Sequence, residues 1–382
     1  MAALRPPAES FAFLRAPARG HPVCGGFGNG VTSGLGGYPR CVHRTTAPPA
    51  WDVAALFPGI EQYAATATRL HPRRGVPDPL GSHVGGPLRW PAGEPWPRCD
   101  AEHLVATETP VPAAVRARLR AAGRDRNWSG WESAMAELAS QIPGFGGVDR
   151  RTGSALGYAS RSQPVPGALV PLAQLRSADV PDVDSPSGAD LLQVLWCPHD
   201  HDLDGLSLGP AVTLRWRREE DLAAAPVRLP PAASVGEARY LPHPCVLHPE
   251  QVVEYPWWQQ LPAELGRLVR DWDAAHDGVY HRQLATAPGW KVGGWPAWPT
   301  TDPVPMYCPR CAAPLRQLLQ IDGGEWGDPQ RWRPVQEQAL SSAAADYLAV
   351  TEPTGVIAGR SGLYRVFHCP LCPDLQYRID LQ

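Results

Sequence analysis

Long hydrophobic runs are missing from this chain of 382 residues. No stretch approaches the roughly 18 consecutive apolar residues that a membrane-spanning helix needs. Charge is scarce as well, at 19% of residues, and nearly balanced at a net −3. No basic excess is available for nucleic acid, and no polybasic tract for a membrane surface. The segment from Met1 to Arg19 carries Arg5, Arg15 and Arg19 but lacks the apolar centre of a secretory signal. Neither a Gly-x-Ser-x-Gly elbow nor a His-Glu-x-x-His motif is present. The glycines between Gly20 and Gly37 form no dinucleotide fingerprint, because Val31 and Ser33 stand where a third glycine is required. No lysine followed by serine or threonine comes after them, which excludes a phosphate loop.

Glycine (37) and proline (45) are plentiful, and helix interiors tolerate neither well. Turns and short strands should therefore dominate. The hydrophobic fraction of 43% excludes wholesale disorder, and the 15 tryptophans read best as core residues of a turn-rich body. The length fits about two domains at ~100–200 residues each. The nine cysteines are an odd number, which argues against a fully disulfide-bonded secreted protein. The expected compartment is the cytoplasm, where paired cysteines more often hold metal.

Residues 1–77 read as a flexible, Gly/Pro-rich extension, with Cys24, Cys41 and His43 as weakly spaced potential ligands. A first β-rich repeat is expected over 78–240 and a second over 241–382. Apolar periodicity predicts helices over 111–123, 130–142 and 262–276, and a further inserted helix over 335–348. It predicts strands over 169–175, 191–196, 211–217, 315–321 and 363–368. Residues 242–258, with four prolines, read as an extended connector.

Four blocks recur in the same order. Val84-Gly85-Gly86-Pro87-Leu88-Arg89-Trp90-Pro91 matches Val292-Gly293-Gly294-Trp295-Pro296-Ala297-Trp298-Pro299, and Pro97-Arg98-Cys99 matches Pro309-Arg310-Cys311. Leu169 to Leu175 matches Leu315 to Ile321, and Val194-Leu195-Trp196-Cys197-Pro198 matches Val366-Phe367-His368-Cys369-Pro370. This predicts an internal duplication. The glycine pairs would supply positive φ or close backbone approach. Gln174 and Gln320 would satisfy buried backbone, or else lie on a solvated strand face. The expected fold is thus mainly β (α+β): duplicated short-stranded units with inserted helices.

The sharpest chemical signal is Cys308-Pro309-Arg310-Cys311 together with Cys369-Pro370-Leu371-Cys372. Two Cys-x-x-Cys turns supply the four thiolates of a tetrahedral structural zinc site, a closed shell without an open position. The ligand ends meet only if the strands at 315–321 and 363–368 run antiparallel. A redox dithiol or disulfide pairs are the alternatives, but Pro370 and Pro373 bracket an extended end instead of opening a helix. In the first half, Cys99 and Cys197 align with Cys311 and Cys369, while Trp96 and Asp200 replace the other two cysteines. His103 and His201 each lie four residues beyond a cysteine, so Cys99, His103, Cys197 and His201 could form a mixed site, with His199 as a rival ligand. Cys245 beside His243 and His248 reads as a Pro-rich coincidence. Asp322, Glu325 and Asp328 read as solvated turn acids, and Lys291 as an exposed lysine.

The two Gly-Gly/Trp-Pro blocks, Pro171-Leu172-Ala173-Gln174-Leu175 and Leu318-Leu319-Gln320-Ile321-Asp322 resemble the YwqG-like (DUF1963) family, in its longer actinobacterial form, over about 80–382. That resemblance implies a mainly β, duplicated fold without an established activity. More distantly, Gly293, Gly294, Pro296 and Trp298, the paired cysteines, and Val366-Phe367 leading into Cys369 are similar to the programmed cell death 2 proteins. Those act as dedicated chaperones of a ribosomal protein, which implies a protein partner. The first half departs from them in lacking paired Cys-x-x-Cys turns. The expected function is a non-catalytic, zinc-stabilised protein-binding or chaperone-like module. The alternative is a metal-dependent enzyme using the Cys/His group of the first half.

Overall fold

A computed structural model describes residues 44–148, 153–161, 167–203, 208–223, 235–327, 330–359, 362–372 and 376–382. Cys24, Cys41, His43 and Asp328 lie outside the described residues. The fold is mainly β, with antiparallel sheets and inserted helices. Two six-stranded sheets form the body. In spatial order, the first runs Glu250–Glu254, Ala65–Arg69, Lys291–Gly293, Arg316–Asp322, Leu363–His368, Tyr377–Leu381. The second runs Val212–Arg217, Leu191–Trp196, Val170–Arg176, His83–Val84, Cys245–Val246, Arg73–Arg74. One buried cluster draws on both sheets: Leu172, Leu192, Val194 and Trp196 from one, and Val292, Leu318, Ile321, Tyr364 and Val366 from the other. Tyr364 stands edge-on to Trp196 at 5.8 Å between ring centroids.

The ladders are built alike. His83 pairs with Gln174 and Val84 with Ala173 in the second sheet; Lys291 pairs with Gln320 and Val292 with Leu319 in the first. Both sheets break register beside this ladder. The partner changes from Ala173 to Pro171 between Val194 and Leu195, and from Leu319 to Gln317 between Val366 and Phe367. The Gln174 amide donates to the carbonyls of Pro79 and Gly81 (2.9 and 3.0 Å), and Gln320 donates to those of Ala287 and Gly289 (3.4 and 3.0 Å). Both glutamines are buried, so they satisfy backbone groups that water cannot reach.

Residues 44–77 correct the expected extension, because their strands are integral to the sheets. Ala65–Arg69 pairs on both sides, with Glu250–Glu254 and with Lys291–Gly293. Its Ala67, Thr68 and Arg69 are all buried, so it lacks the polar-out alternation that marks a half-exposed strand. The 242–258 connector is likewise two paired strands, Cys245–Val246 and Glu250–Glu254.

A separate lobe is inserted between Cys99 and Val170. Its strands His103–Pro110, Phe145–Val148 and Ser154–Arg161 make a three-stranded sheet against the helices Ala113–Arg124 and Trp128–Gln141. Val115, Leu119 and Ala122 form the expected buried stripe, and Val115 and Leu119 pack with Ala134, Leu138 and Ala155. The second helix begins earlier than periodicity predicts because the Asn127 side chain caps it, accepting from Gly130 N at 3.0 Å. The helix Ala263–Ala275 buries Val269 against Phe57 and Tyr280, whereas Leu268 is exposed at the edge of its stripe.

The helix expected over 335–348 does not form. A short 3-10 turn, Val335–Glu337, and the helix Tyr347–Thr351 replace it. Glu337 is drawn to Arg73 Nε (2.8 Å), and Ser341 Oγ accepts from Ala343 N. Such side-chain bonds compete with helix formation.

The glycine pairs do what their spacing implied: φ is +61° and +80° at Gly85 and Gly86, and +71° and +67° at Gly293 and Gly294. A Cβ at Gly294 would sit 2.6 Å from Ala67 Cβ and press on the Glu254 carboxylate. Gly294→Ala should therefore lose at least about 1–3 kcal/mol in denaturant unfolding from backbone strain alone. Gly123→Ala, in a helix with open space around it, should gain about 0.5–1 kcal/mol.

Candidate metal centres

The strands Arg316–Asp322 and Leu363–His368 run antiparallel, with Arg316 opposite His368, so the ends bearing the cysteines meet. A tight turn presents the first pair. Ala312 N donates to Cys308 O (3.0 Å), Cys308 N donates to Ala313 O (2.8 Å), and Ala312 takes φ +58°. The second pair follows directly from the strand end, with Cys369 N donating to Gln376 O at 2.7 Å. The sulfurs of Cys308, Cys311, Cys369 and Cys372 all lie within 4.8 Å of one another. Cys308 to Cys372 is 3.8 Å and Cys311 to Cys369 is 3.5 Å. A tetrahedron with metal–sulfur bonds of about 2.3 Å has edges of about 3.8 Å, so the group fits a metal ion. All four cysteines are free thiols, and three are buried while Cys311 is exposed.

The four thiols differ in their electrostatics. Burial acts to raise the Cys308 thiol, but the N–H groups of Cys311 and Arg310 outweigh it and bring it to about 7. Burial and the neighbouring sulfurs push Cys372 up to about 12. Four thiolates at this separation repel one another unless a positive ion lies between them.

The end of the second sheet gathers the other candidates. Cys99 Sγ is 3.4 Å from His103 Nε2 and 3.8 Å from His201 Nε2, and Cys197 Sγ is 3.3 Å from His103 Nε2. All four ligand atoms lie within 4.8 Å of one another. The rival His199 stands outside this group, stacked on His103 with ring centroids 4.1 Å apart. Asp200 is turned away and accepts from the Tyr240 hydroxyl at 2.6 Å. Burial, reinforced by His199 and His201, lowers His103 to about 4, so its imidazole is neutral near pH 7. Cys245 has no part in either group; its thiol faces the Pro353 carbonyl at 3.5 Å.

Two sequence expectations are corrected. Lys291, the only lysine of the chain, is fully buried. Its ammonium lies 2.7 and 2.8 Å from the Glu254 carboxylate oxygens and donates to Trp295 O at 2.8 Å. Burial lowers its pKa against the pull of Glu254. Glu325 is not a solvated turn acid: its carboxylate lies 2.6 Å from His71 Nδ1 and 3.4 Å from Arg73 Nη1. Burial opposes its ionisation, but His71, Arg73 and Arg69 hold its pKa below the ordinary range. His71 also reaches Glu250 at 3.2 Å and takes φ +44°, a conformation unusual for a non-glycine residue. No local motif announces these pairs, because their partners come from distant parts of the chain.

Among the described residues, no helix is long and apolar enough to cross a membrane. Compared with known protein families the chain matches no family model, and no curated protein proves similar to it in sequence.

Removing one member of the Lys291–Glu254 pair strands the other in a dry site. Lys291→Met should therefore destabilise the chain by about 3–5 kcal/mol, and Lys291→Met with Glu254→Gln by less. Denaturant unfolding followed by tryptophan fluorescence measures both.

Proposed function

We propose that the chain is an internally duplicated β scaffold, stapled by zinc at Cys308, Cys311, Cys369 and Cys372, that binds a protein partner and does no chemistry at that metal. The observation that carries this reading is the gathering of four sulfurs within 4.8 Å of one another, enough to take every position of a tetrahedral shell. Four thiolates favour zinc among the divalent ions, and a closed shell serves structure and not hydrolysis.

Duplication is supported by the matching registers, the matching register breaks and the two equivalent glutamine contacts. The halves also trade strands: Ala65–Arg69 lies beside Lys291–Gly293, and Cys245–Val246 lies beside His83–Val84. The YwqG-like resemblance is consistent with this plan.

A protein-binding role draws support from the surface of the cysteine turns. Tyr307 and Leu371, each directly before a ligand, are 52% and 73% exposed. We read these two apolar side chains, carried on turns whose sulfurs meet, as the place a partner would touch. The distant likeness to programmed cell death 2 proteins points to the same class. A metal-dependent reaction at Cys99, His103, Cys197 and His201 has less support, because four protein ligands fill that position too.

Cys308→Ser should lose one equivalent of zinc and lower the thermal midpoint, whereas Cys245→Ser should keep its metal. Elemental analysis with thermal unfolding checks this, and equal zinc in both variants would sink the staple. Zinc binding by small zinc domains is worth about 10–16 kcal/mol, so chelation should loosen the first sheet. For the partner, a photo-crosslinker is required, since the sole lysine is buried. Wild type should yield one stoichiometric adduct that Leu371→Asp with Tyr307→Ser abolishes. No adduct even at low salt, or the same adduct from both chains, counts against binding at this surface.

A further inference from the structure

The geometry points to a second zinc site, made by Cys99, His103, Cys197 and His201, that clamps the inserted lobe to the end of the second sheet. The fit is geometric. With metal–sulfur bonds of about 2.3 Å and metal–nitrogen bonds of about 2.0–2.1 Å, the mixed edges of a tetrahedron are about 3.6 Å. Three of the four sulfur–nitrogen separations, 3.4, 3.8 and 3.3 Å, bracket that value. Two thiolates with two imidazoles form a common closed zinc shell.

The framework holds each ligand separately. Cys99 is paired with Gly167, and Cys197 N donates to Ala211 O at 3.0 Å. His201 is paired with Gly209, and Leu104 N, next to His103, donates to Asp200 O at 2.9 Å. Tryptophan and leucine close the surroundings: Trp90, Trp96, Leu88, Leu169 and Leu195 pack with the two cysteines. His103, Cys197 and His201 are buried.

The position gives the site its task. Cys99 and His103 stand where the chain enters the lobe, and His103 is the first residue of its first strand. Cys197 and His201 follow the strand Leu191–Trp196 of the body. The lobe keeps a core of its own, so its orientation depends on this junction. A metal here joins the first strand of the lobe to the end of the body strand Leu191–Trp196.

The experiment is zinc stoichiometry together with X-ray absorption at the zinc edge, on the full chain purified without chelator. Two zinc ions per chain, with average coordination of three sulfurs and one nitrogen, support the second site. One zinc with four sulfurs overturns it and leaves the four-cysteine staple standing. One zinc with two sulfurs and two nitrogens supports this site and overturns the staple. A Cys99–Cys197 disulfide in mass mapping, or a chain without zinc, also overturns it. His103→Ala with His201→Ala should then lose one of the two ions and become cleaved several-fold faster by trypsin within 113–124. Unchanged cleavage with one ion lost would overturn the clamp.

Discussion

Antiparallel pairing at the strand ends is the constraint on which the rest of the structure depends. A Cys-x-x-Cys turn fixes only two sulfurs, and two such turns far apart in sequence specify nothing until the sheet joins them. Opposing Arg316 to His368 brings the cysteine ends together. A parallel pairing would leave them at opposite ends of the strands, each pair of thiols without its complement. The same pairing logic sets Val170 opposite Trp196 and delivers Cys197 to the neighbourhood of Cys99. The chemistry at each end thus follows from hydrogen-bonded register, and the register from the bulge beside each glutamine.

The inner strands impose a different requirement. Ala65–Arg69 lies between two strands and carries an arginine into the interior. Its guanidinium donates to Thr46 Oγ1, Trp332 O and Glu325 O, at 2.7, 2.9 and 3.2 Å. Beside it, Lys291 and Glu254 neutralise each other, and the carboxylate also accepts from Ala287 N and Trp295 N, both at 2.8 Å. Buried charges of this kind contribute little net stability compared with apolar replacements, but they are costly to leave half made. They restrict which segments can occupy the centre of the sheet.

Much of this was legible in sequence where the signal is local. Helix stripes such as Val115, Leu119 and Ala122, the positive-φ glycine pairs and the cysteine spacing each depend on a few adjacent residues. The gathering of Cys99, His103, Cys197 and His201 was readable from two cysteine–histidine pairs of equal spacing. What escaped depends on distant partners. Ala65–Arg69 looked like loop because its alanines and threonines carry little hydrophobic signal, although Ala67, Thr68 and Arg69 are buried. Lys291 and Glu325 looked solvated because Glu254, His71 and Arg73 are far from them in sequence. The segment 335–348 has the composition of a helix, yet Glu337 is held by Arg44 and Arg73 from the other end of the chain.

The two large insertions leave their sheets at opposite ends, and each end demands its own fastening. In the first half the lobe departs beside Cys99, at the end that carries the proposed second zinc. In the second half the chain leaves after Asp322 and returns at Leu363, the end remote from the four cysteines. A metal at those cysteines cannot hold that insertion. Buried ion pairs do so instead: Glu325 engages His71, Arg73 and Arg69, and Glu337 engages Arg73 and Arg44. Loop closure becomes only slowly more costly with length, so a long excursion is tolerable if its root is fixed. The proposed tetrahedral ion and the charge network would be two solutions to that one mechanical problem. The first would grip through coordination bonds and depend on metal supply; the second grips through desolvated charges and depends on every partner being present.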